Sequence, residues 1–458
     1  MKVLLISTYE LGHQPFGLAS PAAWLAERGH EVACVDLCVE SLEADTVREA
    51  GLVAFYLPMH TATRLAAKAI DKVRRLNPAA HLCCYGLYAP LNESYLRGIG
   101  AGTILGGEFE PGLVSLAARL GAGHVSVQSV QSEPLISLDR LRFQVPLRSG
   151  LPPIENYARL QIPGAVSKRV GYTEASRGCK HLCRHCPVVP VYQGSFRVVQ
   201  PEVVLADIRQ QVAAGAEHIT FGDPDFFNGP THAMRIVDAL HQEFPRLTYD
   251  ATIKIEHLLK HRELLPRLGE TGCLFVTSAV ESMDDAVLAK LDKGHTRADF
   301  IEIAREFRSL GLTLAPTFIP FTPWTTRESY RELLASLVDL DLVEHVAPVQ
   351  LALRLLITRG SRLLELADIQ AVIREFDEPA LLYRWRHPDP AMDALAEQAL
   401  RIAASHGSRR EVFGCLWNLV SDRPLSENFD LPPHAPIPYL DEPWFCCAEP
   451  TEEQLAHV

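Results

Sequence analysis

The sequence predicts an α/β protein in three parts: a doubly wound parallel sheet (Rossmann-like), a partial (β/α)6 TIM-type barrel, and a helical carboxyl-terminal extension. Two series of short β-rich runs alternate with helix patterns, one ending near residue 125 and one beginning near residue 169. The 458 residues suit about three domains at a usual size of about 150 residues. Apolar residues make up 47% and charged residues 22%, which excludes a disordered tail protein and a small disulfide scaffold.

The first series, over residues 1–125, predicts a parallel sheet with crossover helices. Apolar residues recur with a period near 3.6 over 63–76, which indicates a helix. Strands separated by helices lie parallel, and ligands of such sheets bind at the carboxyl ends of the strands. The strands are predicted at 3–8, 31–37, 52–58, 81–87 and 102–107. The candidate ligand-binding loops are 9–17, 57–61, 86–91 and 106–110.

The second series follows a stretch with several prolines at 126–168, which we interpret as a linker. Five or six β/α units fit a partial barrel over 169–361, whose active site would lie at the carboxyl ends of its strands. Residues 362–458 are more helical and then rich in proline. The barrel strands are predicted at 170–178, 218–226, 249–255, 273–281, 313–321 and 348–358, with helices at 201–215, 282–291 and 298–311 between them.

The charge and the first residues restrict the partners and the location. Lys and Arg number 44 against 56 Asp and Glu, so the net charge is −12 and the surface as a whole would repel a phosphate backbone. No basic cluster indicates a nucleic-acid partner. No apolar run reaches the roughly 18 residues that a membrane span requires. The first residues resemble a strand rather than a signal peptide, so a cytoplasmic protein is expected.

The strongest local signal is a loop with Cys179, Cys183 and Cys186, directly after a predicted barrel strand. Three thiolates within eight residues can converge on one metal centre, and thiolates are the usual ligands of iron–sulfur clusters. Zinc is the alternative, because it also takes thiolates, and His181 or His185 could supply a fourth ligand. The charged and imidazole side chains between the cysteines argue against three inert core residues.

The CxxxCxxC spacing of these cysteines resembles the signature of radical S-adenosylmethionine (SAM) enzymes, over about residues 170–330. In that family three cysteines hold a 4Fe–4S cluster, and the amino and carboxylate groups of SAM occupy the fourth iron. Reduction of the cluster then cleaves SAM to methionine and a 5′-deoxyadenosyl radical. The resemblance implies an electron donor such as flavodoxin or ferredoxin. The family usually has an aromatic residue before the third cysteine, which contacts adenine, and His185 stands in that position.

The same resemblance assigns further SAM contacts at the strand ends. Asp223, with Asp225 as second choice, matches the segment that holds the methionine amino group, although acidic residues there also cap loops. Ser278 and Glu281 match the region that contacts the ribose hydroxyls and the methionine part of SAM. Lys293 is expected to be a solvated surface residue rather than a contact to the SAM carboxylate.

The amino-terminal domain resembles the cobalamin-binding domain of the cobalamin-dependent subfamily, on the segment ILGGEFEPGLVSLAARL at 104–120. The DxHxxG motif that ligates cobalt elsewhere is absent, and His13 is the nearest candidate. A degenerate domain that packs against the barrel is the alternative. No GxGxxG follows the first strand, so a dinucleotide is not expected.

The carboxyl-terminal CCAEP, with Cys446 and Cys447, resembles the tail of a radical SAM group named for its CUAEP or CCAEP terminus. Some members carry selenocysteine where Cys447 stands, which implies a redox or substrate-binding thiol assisted by Cys446. Taken on chemistry alone, the pair is a packing segment. Cys415 is unassigned, though it could join the tail pair around a second cluster. The remaining cysteines are expected in the core: Cys34, Cys38, Cys83, Cys84 and Cys273.

The family resemblance implies an enzyme that binds a 4Fe–4S cluster and SAM, and its amino-terminal part implies cobalamin, with a degenerate packing domain as the alternative. The reaction is either methyl transfer through cobalamin or hydrogen abstraction by the deoxyadenosyl radical, on a small-molecule or peptide substrate. A non-catalytic zinc-binding or redox-sensing protein is the alternative from another class. In that alternative, His185→Ala would release the metal.

Overall fold

Two sheets organise this computed structural model, which describes residues 1–122, 133–405, 407–425, 429, 437–442 and 449–457. The strands of the first sheet are β1 (Lys2–Ser7), β2 (Glu31–Asp36), β3 (Leu52–Tyr56), β4 (His81–Tyr85), β5 (Thr103–Gly107) and β6 (Ile136–Ser137). Its helices are α1 (Phe16–Glu27), α2 (Ala44–Glu49), α3 (His60–Leu76), α4 (Glu93–Gly98) and α5 (Glu110–Gly121). All strand pairs are parallel, in the order β2-β1-β3-β4-β5-β6, which confirms the predicted doubly wound sheet.

Helices cover both faces of this first sheet, so its central strands are buried throughout. Every residue of β3 is buried, as expected of a parallel strand with helices on both sides. One face packs on α1 and α5, and the other packs on α3 and α4. The carboxyl ends of β1 and β3 therefore meet where the strand order reverses, at the topological switch point.

The second sheet is a half barrel with an antiparallel edge. The strands of this part of the chain are β7 (Arg159–Gln161), β8 (Lys168–Thr173), β9 (Ser176–Gly178), β10 (Phe196–Val198), β11 (His218–Phe221), β12 (Thr248–Thr252), β13 (Cys273–Glu281) and β14 (Leu314–Phe318). Its helices are α6 (Val188–Tyr192), α7 (Pro201–Ala213), α8 (Pro230–Glu243), α9 (Ile255–Lys260), α10 (Leu265–Glu270), α11 (Asp285–Leu291), α12 (Arg297–Leu310) and α13 (Arg327–Asp339). The strands β8, β11, β12, β13 and β14 are parallel, while β9 and β10 form a separate antiparallel pair.

Local sequence signals explain where these helices begin and end. The helix α12 starts with a capping box, in which Thr296 accepts from the Asp299 backbone N–H and Asp299 accepts from the Thr296 backbone N–H. It stops at Gly311, whose φ of +68° favours glycine. The observed helix, Arg297–Leu310, therefore lies within one residue of the predicted bounds of 298–311.

The predicted sixth barrel strand at 348–358 is wrong. A 3-10 turn occupies Pro348–Leu351, and a single bridge joins Arg354 to Phe321. The apolar run is buried as irregular chain, with Val349 and Leu351 in the interior. Apolar runs of this length fit a buried strand or a buried coil equally well, so the pattern could not separate them. The described barrel therefore has five parallel strands and one bridge.

The linker and the extension contribute more structure than the sequence indicated. Within the predicted linker at 126–168, β6 extends the first sheet and β7 extends the second. The extension contains α14 (Ala367–Val372), β15 (Ile373–Asp377), β16 (Leu382–Trp385), α15 (Pro390–Ala403), α16 (Arg409–Val420), β17 (Tyr439–Leu440) and α17 (Glu452–His457). Thus a β15–β16 hairpin accompanies the predicted helices, and β17 pairs with β7 at the barrel edge. No helix in the described ranges is long and apolar enough to span a membrane.

Candidate radical SAM site

The cysteine loop directly follows β9, and the last residue of that strand, Gly178, fixes its path. Gly178 has a φ of +75°, and a Cβ there would lie 2.6 Å from the Ser195 carbonyl oxygen. Only glycine accepts this close approach without strain. Cys179 and Cys183 are buried and Cys186 is half-buried, and the Cys186 backbone N–H donates to the Cys183 carbonyl oxygen at 3.2 Å. The predicted ligands therefore lie in one short turn.

Contacts from the end of α11 and from the chain around Ser361 hold this loop in place. The Arg184 backbone N–H donates to the Leu291 carbonyl oxygen at 2.9 Å, at the end of α11. The Ser361 hydroxyl donates to the Arg184 carbonyl oxygen at 3.0 Å, and Arg362 donates to the Leu182 carbonyl oxygen at 3.0 Å. Such anchoring preorganises the three thiols, which is what a metal site requires of its protein.

The electrostatics of the loop suit a cationic metal cluster. Burial, with a smaller contribution from the neighbouring Cys183, raises the pKa of Cys179 to about 11 and that of Cys186 to about 12. A metal cation must therefore displace protons as it binds. The Lys254 ammonium lies 3.8 Å from Cys183 Sγ, where it stabilises negative charge on sulfur. Three thiols in one short loop fit the three-cysteine set of a 4Fe–4S cluster with one open iron.

The two histidines of the loop, which the zinc alternative requires as a fourth ligand, both lie beside carboxylates. His181 Nε2 lies 3.4 Å from Asp225 Oδ2, and its Nδ1 lies 3.4 Å from Glu256. One ligand atom each of Cys179, His181 and Asp225 lie within 4.8 Å of one another. However, His257 Nδ1 already contacts the same Asp225 oxygen at 2.7 Å. The set of Cys179, His181 and Asp225 contains only one of the three thiols, so it does not use the cysteine motif as a whole.

Glu281, predicted to contact SAM, lies where β13 bulges at its carboxyl end. Its φ is +71°, and the register with β14 shifts between Ala279 and Glu281. Glu281 Oε1 contacts His185 Nε2 at 3.1 Å and accepts from the Lys293 ammonium at 3.3 Å. Burial opposes its ionisation, but Lys293 and His185 lower the pKa of Glu281 to about 2. The site therefore contains a carboxylate that stays ionised.

The expectation of a solvated Lys293 is wrong, since its side chain is 3% exposed. The helix α11 ends at Asp292, which has a left-handed φ of 57° and reverses the chain direction. That turn brings Lys293 inward, where Glu281 compensates its charge. Charged residues that follow a helix are usually at the surface, and no sequence pattern indicates this turn.

Asp223 and Ser278 lie at the site in different environments. Asp223 accepts from the Ser176 hydroxyl at 2.5 Å and from the Ala175 backbone N–H at 2.9 Å, so it holds the start of the cysteine loop. Burial raises the pKa of Asp223 to about 7. Ser278 is fully buried, and its hydroxyl has no hydrogen-bond partner among the described residues. A buried hydroxyl of this kind suits a ligand contact.

The carboxyl edge of the first sheet faces this site, and the sequence did not indicate the residue that joins them. Arg177, in β9 directly before the cysteine loop, pairs with Glu110 at 2.7 Å, Glu174 at 2.7 Å and Glu108 at 3.2 Å. Glu108 and Glu110 directly follow β5 of the first sheet. His13, in the loop after β1, packs on Tyr172 of β8 with ring centroids 4.9 Å apart. The carboxyl edges of the two sheets therefore meet.

A cavity of about 510 Å³ opens at the carboxyl ends of β1 and β2. This volume is within the usual range of about 300–1,000 Å³ for small-molecule sites. The predicted cobalamin site lies at the same edge, so the fold leaves space for a ligand there. The walls come from the loop after β1, the turn after β2, α3, the chain before β7 and the carboxyl-terminal segment, and they include Glu10, His13, Cys38, Leu65, Tyr157 and Glu442.

The remaining cysteines divide into three groups. Cys446 and Cys447 lie outside the described residues. Cys83, Cys84 and Cys273 are buried as predicted, and Cys34 is half-buried. The expectation of a core Cys38 is wrong, because β2 ends at Asp36 and Cys38 lies exposed in the following turn. Cys415 is exposed on α16.

Comparison with known proteins gives a family for the second part of the chain. Residues 173–337 match the model of the radical SAM superfamily. Hopanoid C-3 methylase of Methylococcus capsulatus is 28% identical over 327 residues, which cover 68% of this chain and 62% of that protein. Ribosomal protein uS12 methylthiotransferase RimO of Syntrophotalea carbinolica is 26% identical over 174 residues, covering 36% of this chain and 38% of that protein. The chain thus spans less than two thirds of each relative.

Two solved structures share the arrangement of the sheets. The cobalamin-dependent radical enzyme OxsB, bound to aqua-cobalamin and SAM, has a TM-score of 0.69 and 13% identity, over 87% of this chain and 66% of that one. The methyltransferase TsrM of Kitasatospora setae, bound to cobalamin and a [4Fe-4S] cluster, has a TM-score of 0.59 and 18% identity, over 74% and 73%. At such identities the likeness is one of fold. The chain therefore contains a radical SAM domain at residues 173–337, preceded by a doubly wound domain.

Proposed function

We propose that this protein is a cytoplasmic, cobalamin-dependent radical SAM methyltransferase. One observation carries the proposal: Arg177 and His13 bring the carboxyl edge of the doubly wound sheet against the cysteine loop of the half barrel. Ligands of both sheet types bind at that edge. Two cofactors, one on each sheet, would then meet in one protected space. The names of two similar proteins, hopanoid C-3 methylase and the methyltransferase TsrM, both denote methyl transfer and support the same choice.

Each part of the site has a defined role in this proposal. Cys179, Cys183 and Cys186 would hold the 4Fe–4S cluster, which supplies the electron that cleaves the sulfonium of SAM. Glu281 and Lys293 form a buried ion pair at the end of β13, beside the cysteine loop. A zwitterionic amino acid is bound well by such opposite charges, so this pair suits the methionine part of SAM. The unpaired Ser278 hydroxyl would form a hydrogen bond with the ribose of SAM.

An external protein must supply the electron, and flavodoxin or ferredoxin is the expected donor. The cysteine loop reaches the surface between its first two cysteines, where Leu182 is 44% exposed and Lys180 is exposed. An exposed cation attracts an acidic partner by charge complementarity, and an exposed apolar side chain can be buried when the partner docks. We propose that the donor docks there.

The test uses protein purified without oxygen and reconstituted with iron, sulfide and aquacobalamin. SAM with a deuterated methyl group is added with titanium(III) citrate, and the corrin and nucleoside products are analysed by mass spectrometry. The proposal expects the recovered corrin to gain the labelled methyl group in wild type, and expects no gain when Cys183 is alanine. Formation of 5′-deoxyadenosine without any labelled corrin would instead indicate hydrogen abstraction without methyl transfer. Zinc in place of iron would contradict both.

A further inference from the structure

Two imidazoles meet one buried carboxylate beside the cysteine loop. His181, between the first two cysteines of the loop, has its Nε2 3.4 Å from Asp225 Oδ2. His257, in α9, has its Nδ1 2.7 Å from the same oxygen, and the two rings lie 4.6 Å apart between centroids. The Asp225 side chain is fully buried, and those of His257 and His181 are 3% and 13% exposed, so the three groups meet in the protein interior.

The three converging atoms are close to one another but are not hydrogen-bonded. His181 Nε2, His257 Nδ1 and Asp225 Oδ2 have no hydrogen-bond partner among the described residues. At 2.7 Å from the oxygen, His257 Nδ1 is close enough for a hydrogen bond, so the direction of its ring prevents one. Buried polar atoms without partners are costly, and three of them in contact indicate a ligand that satisfies all three together.

A divalent metal ion such as Zn²⁺ would satisfy this set of atoms. Zinc binds imidazole nitrogen and carboxylate oxygen at about 2.0–2.2 Å, so two ligand atoms of a tetrahedral ion lie about 3.4 Å apart. The contact between His181 and Asp225 already has this separation, at 3.4 Å. The contact between His257 and Asp225, at 2.7 Å, must lengthen by about 0.7 Å, which a rotation of the imidazole would provide. Each nitrogen would then direct its lone pair at the ion rather than at the oxygen.

The groups around the three ligands hold them as the neighbours of metal ligands do. His181 Nδ1, the nitrogen on the far side of the ring, lies 3.4 Å from Glu256 Oε2. Metal-binding imidazoles usually donate their second nitrogen to a carboxylate, which fixes the orientation of the ring. The other oxygen of Asp225, Oδ1, accepts from the Phe227 backbone N–H at 3.2 Å. Two of the ligands are therefore held by atoms other than the ones that converge.

We infer that His181, Asp225 and His257 form a second metal site, which takes one divalent ion of the zinc class and is separate from the three cysteines. The ion would join the cysteine loop, the turn after β11 and α9, and a water would complete its tetrahedron. The inference assigns Asp225, the second choice for a SAM contact, to a different ligand. It goes beyond the proposed function and does not depend on it, because none of the three ligands is a cysteine of the motif.

The first experiment measures zinc and iron together in the full-length protein. The protein is reconstituted with iron and sulfide without oxygen, incubated with Zn²⁺, and freed of loosely bound metal on a chelating resin. We expect about one zinc per chain in wild type, in addition to the iron of the cluster. Asp225→Asn and His257→Gln should keep that iron but bind zinc at least about tenfold more weakly, because each loses a ligand.

His261→Gln is the matched control for these variants. His261 directly follows α9, and its ring lies 6.0 Å from that of His257, but it is outside the proposed ligand set. This variant should bind zinc as wild type does. Equal zinc binding by wild type and Asp225→Asn would overturn the inference, and so would the absence of zinc from wild type.

The second experiment identifies the atoms that bind zinc in wild type and needs no variant. X-ray absorption at the zinc edge of the same sample reports zinc alone, so the iron–sulfur cluster does not interfere. We expect nitrogen and oxygen ligands at about 2.0–2.2 Å and no sulfur at about 2.3 Å. Sulfur bound to zinc would place a cysteine of the loop at the ion, and the inference would be wrong.

The outcomes also separate the inference from the proposed function. A protein that holds iron and methylates its corrin, but binds no zinc, would refute the inference alone. Zinc bound by sulfur, in a protein that holds no iron, would refute both. Zinc bound by nitrogen and oxygen, in a protein that does not cleave SAM, would support the inference and refute the proposed function.

Discussion

The cysteine loop and the cavity of the first sheet show two ways in which a sequence can specify a site. The loop takes its three sulfur atoms from eight consecutive residues, and neighbouring backbone groups hold them. The cavity takes its walls from segments that are far apart in the sequence. One of them, Asp441–Glu442, is more than 400 residues away from the first strand. A local site is visible as a motif, whereas a site of distant residues is visible only once the chain has folded.

The largest expected effect is at the loop itself. Cys179→Ala, Cys183→Ala and Cys186→Ala should each remove most of the iron and abolish 5′-deoxyadenosine formation, because each removes one of three ligands. Iron and sulfide content and product analysis measure both effects. Cys415→Ala, at an exposed thiol on α16, is the control and should change neither. His185→Ala should keep its iron, and metal release by that variant would favour a zinc site.

Cys447, which lies outside the described residues, is expected to affect turnover rather than cluster binding. Cys447→Ala should keep its cluster and lose most turnover, because the resemblance of the tail implies a redox or substrate-binding role for this thiol. Cys446→Ala should have a smaller effect. Product formation per bound cluster is the measurement. Full turnover by Cys447→Ala would instead support a packing role for Cys446 and Cys447.

The contact between the first sheet and the half barrel depends on the buried guanidinium of Arg177. Arg177→Leu would leave Glu108, Glu110 and Glu174 without their counter-charge, and we expect a loss of about 3–5 kcal/mol in the free energy of unfolding. Urea denaturation measures it. Arg209→Leu removes a geometrically similar pair at the surface, with Glu243 at 2.6 Å, and should have no measurable effect. Equal stability of the two variants would show that the junction does not hold the sheets together.

The ion pair of Glu281 should appear as a pH dependence. Its pKa is about 2 in the folded protein and near 4.5 when unperturbed, so its stabilising contribution is complete above about pH 4.5. That contribution falls as the pH drops from about 4.5 towards 2, by about 1 kcal/mol over the first pH unit. Urea denaturation across this range should show the loss in wild type and a flatter profile in Glu281→Gln. Parallel profiles would contradict the assignment.

The smallest expected effect tests the charge beside the cluster ligands. Lys254→Met removes an ammonium group 3.8 Å from Cys183 Sγ, which favours the more negative, reduced cluster. The midpoint potential should therefore become more negative, as measured by a redox titration followed by electron paramagnetic resonance. Lys260→Met, at an exposed residue of α9, should leave the potential unchanged. A shift of equal size in both variants would indicate a nonspecific charge effect.

The sequence predicted most of the fold because its signals are local. Alternation of apolar runs and amphipathic helices located all five strands of the doubly wound core and the five parallel strands of the barrel. It failed for 348–358, where the buried chain around Leu351 has the composition of a strand but pairs at one bridge. It also failed for Lys293, since a left-handed turn at Asp292 decides its direction.

The sequence by itself determined the cluster loop, because Cys179, Cys183 and Cys186 are close in any conformation of a short turn. It also placed Glu281 and Ser278 at the end of a predicted strand. Tertiary structure alone decided that Arg177 meets Glu108 and Glu110, which are 69 and 67 positions away. It likewise decided that His181 and His257, from different segments, meet at Asp225. Contacts between distant segments depend on how two sheets pack, and no local pattern records that.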